Sequence, residues 1–434
     1  MNIDEIIDNI DSNNLNIAFG RVVNISAVTL TAVGLDVAVG DIVRIESVQK
    51  LYTVLGMVTV LNDDMFVIVP FSFIDGFKIN DKVFLQRDGL TIKCGNGFLG
   101  RVVNALGEPI DDLGKIRDLD TNAPINKESM SPLDRGIIVQ KFATGVKAID
   151  SMLTCGKGQK VGIFAGSGVG KSTLMGMIVQ GCEATIKVIA LVGERGREIP
   201  EFIHYNLNNN LENTVIVTAT SDESPLMRKY AAFTAMSIAE YFRDKGHDVL
   251  LMMDSVTRFA MAQREIGLST GEPPVSRGYP PSVFALLPQL MERAGNSKKG
   301  SITAFFTVLV DGDDLNDPIA DQSRSILDGH IVLTRDLTEQ GFYPPINILK
   351  SASRVIDKVV TKEHYNDFLK LKRVLSLIKE NEVLIRVGAY KKGMDLELDS
   401  AIAKKEKARE FLTQGTLEKY SFDEIVANLR KVLI

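Results

Sequence analysis

A glycine-rich loop with a single lysine occupies residues 165–172, which read Ala-Gly-Ser-Gly-Val-Gly-Lys-Ser. It follows a short apolar run and precedes a helical pattern, which is the setting of a phosphate-binding loop. The glycines let backbone N–H groups turn toward phosphate oxygens, Lys171 brings positive charge to the β and γ phosphates, and the helix N-terminus adds its dipole. We therefore expect ATP to be bound by Gly166, Ser167, Gly168, Val169, Gly170, Lys171, Ser172 and Thr173.

The first position of this loop departs from the usual pattern, which begins with glycine, because the chain has Ala165 there. Only a positive φ demands glycine, so alanine is tolerated if the residue still lies in the preceding strand. We expect Ala165 to end that strand.

A carboxylate at the end of a second apolar strand, Asp254, is placed to help hold a metal ion. Residues 249–253 are apolar, and a parallel sheet would bring the end of their strand beside the phosphate loop. The Ser172 hydroxyl is the expected Mg²⁺ ligand of such a loop. The sequence thus predicts Mg²⁺ at Ser172 and Asp254, the alternative being a buried strand that merely ends in aspartate.

A charged turn at residues 193–198 follows the apolar run 188–192 and should emerge at the same edge of the sheet. Glu194 is the candidate for polarising an attacking water, and Glu198 could orient a metal-bound water. Arg195 and Arg197 could pair with phosphates or with acidic neighbours. Taken alone, such a turn is more often a solvated helix start, so the assignment depends on the loop upstream.

Strands and helices alternate between about residues 100 and 357, and this pattern predicts the element that positions the loop. The apolar runs are short and nearly continuous, as in strands buried on both faces; they lie at residues 161–165, 188–192, 215–218, 249–253, 303–310 and 330–334. Helical segments lie between them at residues 171–184, 225–245 and 283–294. This succession predicts an α/β fold in which a parallel sheet carries helices on both faces.

Different patterns flank this α/β region. Short β-rich runs at residues 20–25, 41–45, 51–60 and 65–70 predict a small β-barrel. Amphipathic helices are predicted at residues 369–387, 398–411 and 422–433, and a short one at residues 1–14. The predicted organisation is an amphipathic N-terminal segment (1–14), a β-barrel domain (15–85), a nucleotide-binding domain (86–357) and a C-terminal helical domain (358–434).

Composition excludes several classes of protein. With 434 residues, 45% of them hydrophobic and 24% charged, the chain is long enough for several folded domains. Its net charge of −5 gives no general attraction to nucleic acid or anionic lipid. Three scattered cysteines and four scattered histidines form no metal-ligand spacing. An acidic start and the absence of an apolar run near the roughly 20 residues of a membrane helix lead us to expect a protein kept inside the cell.

Several segments together carry a resemblance to a known family. They are the phosphate loop, Gly193-Glu194-Arg195, the Asp254 strand continuing into Ser255 and Arg258, and residues 344–354, Pro-Pro-Ile-Asn-Ile-Leu-Lys-Ser-Ala-Ser-Arg. In this order they resemble the catalytic subunits of rotary ATPases. Residues 271–284 and 317–330 look like those of type III protein-export ATPases, and the loop is similar to that of flagellar members.

The resemblance implies a central RecA-like P-loop NTPase domain and roles for particular residues. Lys171 binds phosphate, Glu194 is the catalytic base, and Arg354 is an arginine finger that reaches the neighbouring subunit's γ-phosphate. Tyr343 matches the family's adenine-stacking aromatic residue. The candidate catalytic residues are Glu194, Lys171, Arg354, Glu198 and Arg195.

The resemblance also implies partners and a location. A finger that serves a neighbour needs a homo-oligomeric ring, expected to be a hexamer. The family pattern adds a regulator bound to the N-terminal helix, a central stalk protein, an export gate and chaperone–substrate complexes, without nucleic acid. The expected location is cytoplasmic, peripherally attached to the inner membrane.

Other functions remain open at this point. A rotary synthase catalytic subunit shares nearly every chemical residue, although residues 271–284 and 317–330 argue against it, and an injectisome export ATPase differs only in its machine. A nucleic-acid translocase would need a basic stripe that the chain lacks. A non-catalytic ring subunit is disfavoured by Glu194 beside a complete loop.

Overall fold

The computed structural model describes residues 18–47, 52–86, 89–310 and 314–434. The predicted amphipathic segment at residues 1–14 lies outside these described residues.

Six antiparallel strands close into a small barrel near the start of the chain, in the order β1-β2-β5-β4-β3-β6. Alternate side chains, such as Val22, Val58 and Ile68, point inward and form its core. The predicted barrel is therefore present, with two strands, β2 and β6, that the sequence pattern had not indicated. The strands are β1 (Gly20–Ile25), β2 (Leu30–Val33), β3 (Ile42–Glu46), β4 (Thr53–Asn62), β5 (Met65–Pro70) and β6 (Lys82–Gln86).

The large central sheet holds the predicted strands in one layer. Its order is β19-β18-β12-β17-β15-β13-β14-β8, and all neighbours from β18 to β8 are parallel. β19 pairs antiparallel with β18 at one edge, and the short β16 pairs antiparallel with the first two residues of β17. The strands are β8 (Val102–Val103), β12 (Lys160–Ala165), β13 (Ile186–Glu194), β14 (Thr214–Thr220), β15 (Asp248–Asp254), β16 (Gly295–Asn296), β17 (Ser301–Leu309), β18 (Gly329–Val332) and β19 (Ala352–Ser353).

Two further small sheets pair β7 with β9 and β10 with β11. Their strands are β7 (Thr91–Cys94), β9 (Thr121–Pro124), β10 (Lys141–Phe142) and β11 (Cys155–Gly156). The α-helices of the described residues are Lys147–Met152, Lys171–Gly181, Glu198–Glu201, Pro225–Asp244, Val256–Ser269, Pro281–Met291, Pro318–Ile326, Arg335–Glu339, Ile356–Val359, Lys362–Glu380, Glu382–Arg386, Leu396–Leu412 and Phe422–Leu433.

Burial explains why the central strands read as apolar runs. Every residue of β12 is buried, and β13, β14, β15 and β17 are buried along nearly their whole length. Helices cover both faces, so a polar side chain within these strands would lose its hydration. Because the strands are parallel, their carboxyl ends share one edge, and the loops after β12, β13 and β15 meet there.

The C-terminal region is helical, as predicted, but its first helix differs from the prediction for residues 369–387. The helix Lys362–Glu380 begins seven residues earlier, because Thr361 caps it by accepting a hydrogen bond from the His364 N–H. It ends before Asn381, and a short helix, Glu382–Arg386, follows. The His364 ring also lies 2.9 Å from the Ser151 carbonyl oxygen, which ties this region to the central part of the chain.

None of the helices in the described ranges combines the length and the apolar character that a membrane crossing requires.

Candidate functional site

The glycine-rich loop connects β12 to the helix Lys171–Gly181. Ala165 is the last, buried residue of β12, so its position does not need glycine. Gly168 and Gly170 have φ angles of +75° and +91°, in the left-handed region that glycine adopts without strain. Gly170 is the N-cap of the helix, and Ser167, Gly168, Ser172 and Thr173 are exposed to solvent. The loop therefore presents backbone N–H groups and a helix N-terminus at an open surface.

Lys171 lies between two carboxylates at the end of the sheet. Its Nζ contacts Oδ1 of Asp254 and lies 3.5 Å from Oε1 of Glu194. All three side chains are largely shielded, with exposures of 12% for Lys171, 13% for Glu194 and 5% for Asp254. Burial alone lowers the pKa of Lys171, but the Asp254 and Glu194 carboxylates outweigh it, so this pKa lies above the ordinary lysine value. The lysine is therefore charged where a phosphate would sit.

Glu194 is the last residue of β13, one residue beyond Gly193 at φ +70°. A Cβ on Gly193 would stand 2.9 Å from the Cβ of Arg258, so glycine is required for the strand to pass this side chain. Burial raises the pKa of Glu194 to about 7; the Lys171 ammonium opposes this rise, and Asp254 and Glu198 add to it. A carboxyl group with this pKa can accept and release a proton near neutral pH.

Asp254 ends β15, where the parallel register pairs it with Leu191 of β13. The Thr307 hydroxyl of the next strand, β17, donates a 2.6 Å hydrogen bond to Oδ1 of Asp254. Thr307 and Lys171 thus fix the carboxylate from two sides, while Oδ2 receives no hydrogen bond from the described residues. Thr307 was missed by the sequence analysis, because a single threonine within an apolar strand gives no signal of its own.

The oxygen donors beside the loop fit Mg²⁺. This ion prefers oxygen ligands in octahedral geometry and takes one or two of them from protein, with phosphates and water supplying the rest. Ser172 offers an exposed hydroxyl in the first helical turn, and Asp254 offers a carboxylate held on one oxygen only. Within the described ranges no group of three or more His, Cys, Asp and Glu side chains is arranged to hold a metal ion by itself.

These side chains surround a single cavity of about 630 Å³. Its wall includes most of the predicted loop together with Glu194, Arg195, Glu198 and Asp254. Arg195 is mostly exposed and lies 4.0 Å from a carboxylate oxygen of Glu198, so both belong to the rim. Val169 is part of the loop, but its side chain is buried in the hydrophobic core.

Arg258 also lines the cavity and was given no role by the sequence analysis. It lies in the first turn of the helix Val256–Ser269, where the Ser255 hydroxyl accepts a hydrogen bond from its backbone N–H. Its Nε is buried without a hydrogen-bond partner among the described residues. A guanidinium with an unpaired buried donor at this place is ready to bind an anion.

Tyr343 lies outside that cavity but close to the loop. The ring of Pro345, two residues on, stands 3.9 Å from the position of a Cβ on Gly170. The Tyr343 side chain is half-exposed, and its carbonyl oxygen accepts a 2.9 Å hydrogen bond from the Gln414 N–H. Residues 343–345 thus contact the phosphate loop through Pro345 and the C-terminal region through Tyr343.

Arg354 does not line the cavity of its own chain. It is exposed just after β19, its backbone N–H donates to the Asp328 carbonyl oxygen, and its Nη2 donates a 3.3 Å hydrogen bond to the Arg324 carbonyl oxygen. The chain therefore brings together every predicted site residue except Tyr343, which borders the loop, and Arg354, which lies elsewhere on the surface.

Family models match two long parts of the chain. Residues 145–353 match the ATP synthase alpha/beta family, nucleotide-binding domain, and residues 360–431 match the T3SS EscN ATPase C-terminal domain. The first match contains the loop, Glu194 and Asp254 and ends one residue before Arg354, and the second contains most of the C-terminal helical region.

Named relatives align over almost the full chain. The flagellum-specific ATP synthase of Helicobacter pylori strain J99 is 57% identical and is matched over 96% of this chain and 95% of its own length. That of Bacillus subtilis strain 168 is 46% identical over 99% and 98%. The type 3 secretion system ATPase of Xanthomonas euvesicatoria is 43% identical over 95% and 94%.

Solved structures agree with this sequence match. The assembled ATPase EscN of the type III secretion system of enteropathogenic E. coli superposes with a TM-score of 0.92 at 45% identity, over 96% of this chain and 100% of that one. The resemblance derived from the motifs and the predicted fold class are thereby confirmed. The chain belongs to the ATP synthase alpha/beta family, within its protein-export branch of flagellum-specific ATP synthases and type 3 secretion system ATPases.

Proposed function

We propose that this export ATPase hydrolyses ATP with Lys171 as the phosphate-binding cation and Glu194 as the base that activates the attacking water. One observation carries the proposal: Lys171 is held between Asp254 and Glu194 at the mouth of the glycine-rich loop. A bound triphosphate would replace these carboxylates as the partner of the lysine and leave Glu194 free to accept a proton.

Mg²⁺ would be held by Ser172 and, through water, by Asp254, and when bound it neutralises charge on the β and γ phosphates. Other side chains orient the ligands and water of the proposed site. Thr307 keeps the Asp254 carboxylate oriented, Arg258 offers its buried Nε to a phosphate oxygen, and Glu198 orients water at the rim beside Arg195.

The site is completed by a second subunit. Arg354 is exposed away from its own cavity, which supports a role as a finger that meets the developing charge in a neighbouring site. In other nucleotide hydrolases such fingers raise turnover on the order of 10³ to 10⁵. A relative solved as an assembled ATPase supports a homo-oligomeric ring, which we propose to be a hexamer, and Tyr343 would stack on the adenine at its margin.

We also propose a central stalk partner. The EscN ATPase has been solved in complex with its central stalk EscO, and that chain superposes with a TM-score of 0.89 at 44% identity. In this protein the exposed apolar side chains between residues 383 and 396 suit such a contact; they are Val383, Leu384, Val387, Met394 and Leu396. A regulator, an export gate and chaperone–substrate complexes at the inner membrane complete the proposed setting.

Within the export branch we propose the flagellar machine. Identity is 57% to the Helicobacter pylori flagellum-specific ATP synthase but 43% to the Xanthomonas euvesicatoria type 3 secretion system ATPase. Expression in a flagellated bacterium that lacks its own export ATPase should restore motility. Rescue of injectisome secretion without rescue of motility would instead assign the chain to the injectisome.

The shared site is tested by measuring ATPase rate against protein concentration, with particle mass determined in parallel. If Arg354 serves a neighbour, the rate per subunit rises steeply as rings form. A rate per subunit that is the same for monomers and rings would contradict the shared site.

A further inference from the structure

We propose that Gln414 is a positioning residue for the nucleotide base, which holds Tyr343 at a fixed place relative to the phosphate loop. The inference rests on the adenine-stacking role proposed above for Tyr343. It concerns a residue in the C-terminal helical region, far from the phosphate site in sequence.

The hydrogen bonds of Gln414 connect the C-terminal helical region to two other parts of the chain. Its backbone N–H donates to the Tyr343 carbonyl oxygen at 2.9 Å. Its Oε1 accepts from the Lys147 N–H at 2.8 Å, and its Nε2 donates to the carbonyl oxygens of Gly145 and Glu418 at 2.9 and 3.0 Å. The side chain is 3% exposed, so these bonds are shielded from water.

The turn that receives Gln414 is itself rigid. Both oxygens of the buried Asp150 carboxylate accept hydrogen bonds from this turn, including those of the Thr144 and Gly145 N–H groups, each at 2.9 Å. A Cβ on Gly145, which has φ +75°, would stand 3.0 Å from the Cα of Gly181. The turn therefore packs directly on the last residue of the helix Lys171–Gly181.

A continuous path of contacts thus links the helix that follows the phosphate loop to Tyr343. The helix that begins at Lys171 ends against the Gly145 turn, the turn bonds the Gln414 amide, and the Gln414 backbone bonds Tyr343. Gln414 follows the helix Leu396–Leu412 by two residues. A displacement of that helix must either break these bonds or carry Tyr343 with it, so motion of the helical region is coupled to base binding.

The test compares a ligand that has a base with one that lacks it, on the full chain with Mg²⁺ present. We would measure Kd by calorimetry for the imido analogue of ATP, which is not hydrolysed, and for tripolyphosphate. Gln414→Leu should raise Kd for the ATP analogue about tenfold while changing that for tripolyphosphate less than about twofold. Gln340→Leu, the same change at an exposed glutamine near Tyr343, should alter neither.

A second variant guards against loss of the fold. Gln414→Glu keeps the length of the side chain and the acceptor for the Lys147 N–H, but it loses the two bonds that Nε2 donates to carbonyl oxygens. It should therefore also raise Kd for the ATP analogue. Equal weakening of both ligands by Gln414→Leu would overturn the inference, since it would place the effect on the fold.

Tyr343→Ala separates the two proposals. If it weakens the ATP analogue and the Gln414 variants do not, the positioning role fails and the stacking role stands. If Tyr343→Ala has no effect, the stacking role fails and the inference fails with it.

Discussion

The Nζ atom of Lys171 lies 3.5 Å from Oε1 of Glu194, although the two residues are 23 positions apart in the chain. The first opens the helix after β12 and the second closes β13, two strands that are separated in the sheet by β17 and β15. Their approach depends on loops that leave the same edge of a parallel sheet. It makes Lys171, the proposed phosphate-binding cation, a neighbour of Glu194, the proposed base.

Replacing Glu194 by glutamine should stop hydrolysis and preserve ATP binding. The amide keeps the shape of the side chain but cannot take a proton from water, and loss of a general base costs about 10²- to 10⁴-fold in rate. Steady-state ATPase assays and equilibrium binding of ATP check this. Glu212→Gln, at an exposed loop position, is the matched control, and full turnover of the Glu194 variant would remove it from the role of base.

Subunits carrying Arg354→Ala should inactivate rings that they form with normal subunits. Each altered subunit fails to complete its neighbour's site, so activity should fall faster than the fraction of altered subunits rises. Mixing experiments at fixed total protein measure activity against the fraction of altered subunits. In the control, subunits with the exposed Arg117→Ala should leave the activity unchanged at every fraction. Strict proportionality to the normal fraction would argue for sites contained within one chain.

The candidate site residues were more predictable from the sequence than the residues that hold them in place. Residues 165–172 predict the loop because glycine spacing, strand and helix coincide, and a strand that ends in Asp254 follows from the same sheet topology. Thr307 could not be predicted, because its contact with Asp254 joins strands that are distant in sequence. Arg258 follows Asp254 by four residues, but the burial of its Nε without a hydrogen-bond partner among the described residues depends on packing that the sequence does not show. The same holds for Gln414, whose partners Gly145 and Lys147 lie 269 and 267 positions away.

Lys229→Met should stabilise the protein at neutral pH. Lys229 is buried in the helix Pro225–Asp244 beside the ring of Tyr230, and the described residues offer it no carboxylate partner. Burial lowers the pKa of Lys229 from 10.5 to about 8. Folding therefore works against the charged form, and methionine should add up to about 3 kcal/mol to the free energy of unfolding at pH 7.

The lowered pKa of Lys229 also predicts how the free energy of unfolding changes with pH. Between pH 8 and 10.5 the unfolded lysine binds a proton that the folded one has lost, so the free energy of unfolding contributed by this group increases with pH across that window. Burial raises the pKa of the Cys94 and Cys155 thiols, which opposes this increase equally in both chains, so urea unfolding at several pH values should show the increase in the normal chain relative to Lys229→Met. The exposed Lys405→Met should retain it; an unchanged profile in Lys229→Met would contradict the assignment.

Gly181→Ala should destabilise the protein even though alanine favours helices. Its Cβ would stand 2.6 Å from the Thr144 carbonyl oxygen, in a turn that Asp150 holds in place. Overpacking of this kind costs about 1–3 kcal/mol, which thermal unfolding can detect. At Gly415→Ala the new Cβ meets only the flexible Glu418 side chain at 3.4 Å, so that variant should melt like the normal chain, and equal melting of both variants would refute the clash.

The sequence predicted element boundaries less accurately where a local turn or cap decides a helix end, and it missed two strands. The predicted helix at residues 171–184 ends at Gly181, because the chain turns at Cys182 to enter β13. The helix predicted at 283–294 starts at Pro281, whose fixed φ suits the first helical turn, and ends at Met291. The strands β2 and β6 were missed; in the barrel β2 pairs with β1 and β5, and β6 pairs with β1 and β3, so tertiary pairing stabilises them.

The most direct test is a structure of the chain with Mg²⁺ and the imido analogue of ATP. The account predicts that Lys171 Nζ leaves Asp254 and contacts β and γ phosphate oxygens, with Mg²⁺ bound to the Ser172 hydroxyl and reached by Asp254 through water. A triphosphate bound elsewhere, or one that Lys171, Ser172 and Asp254 do not approach together, would contradict it.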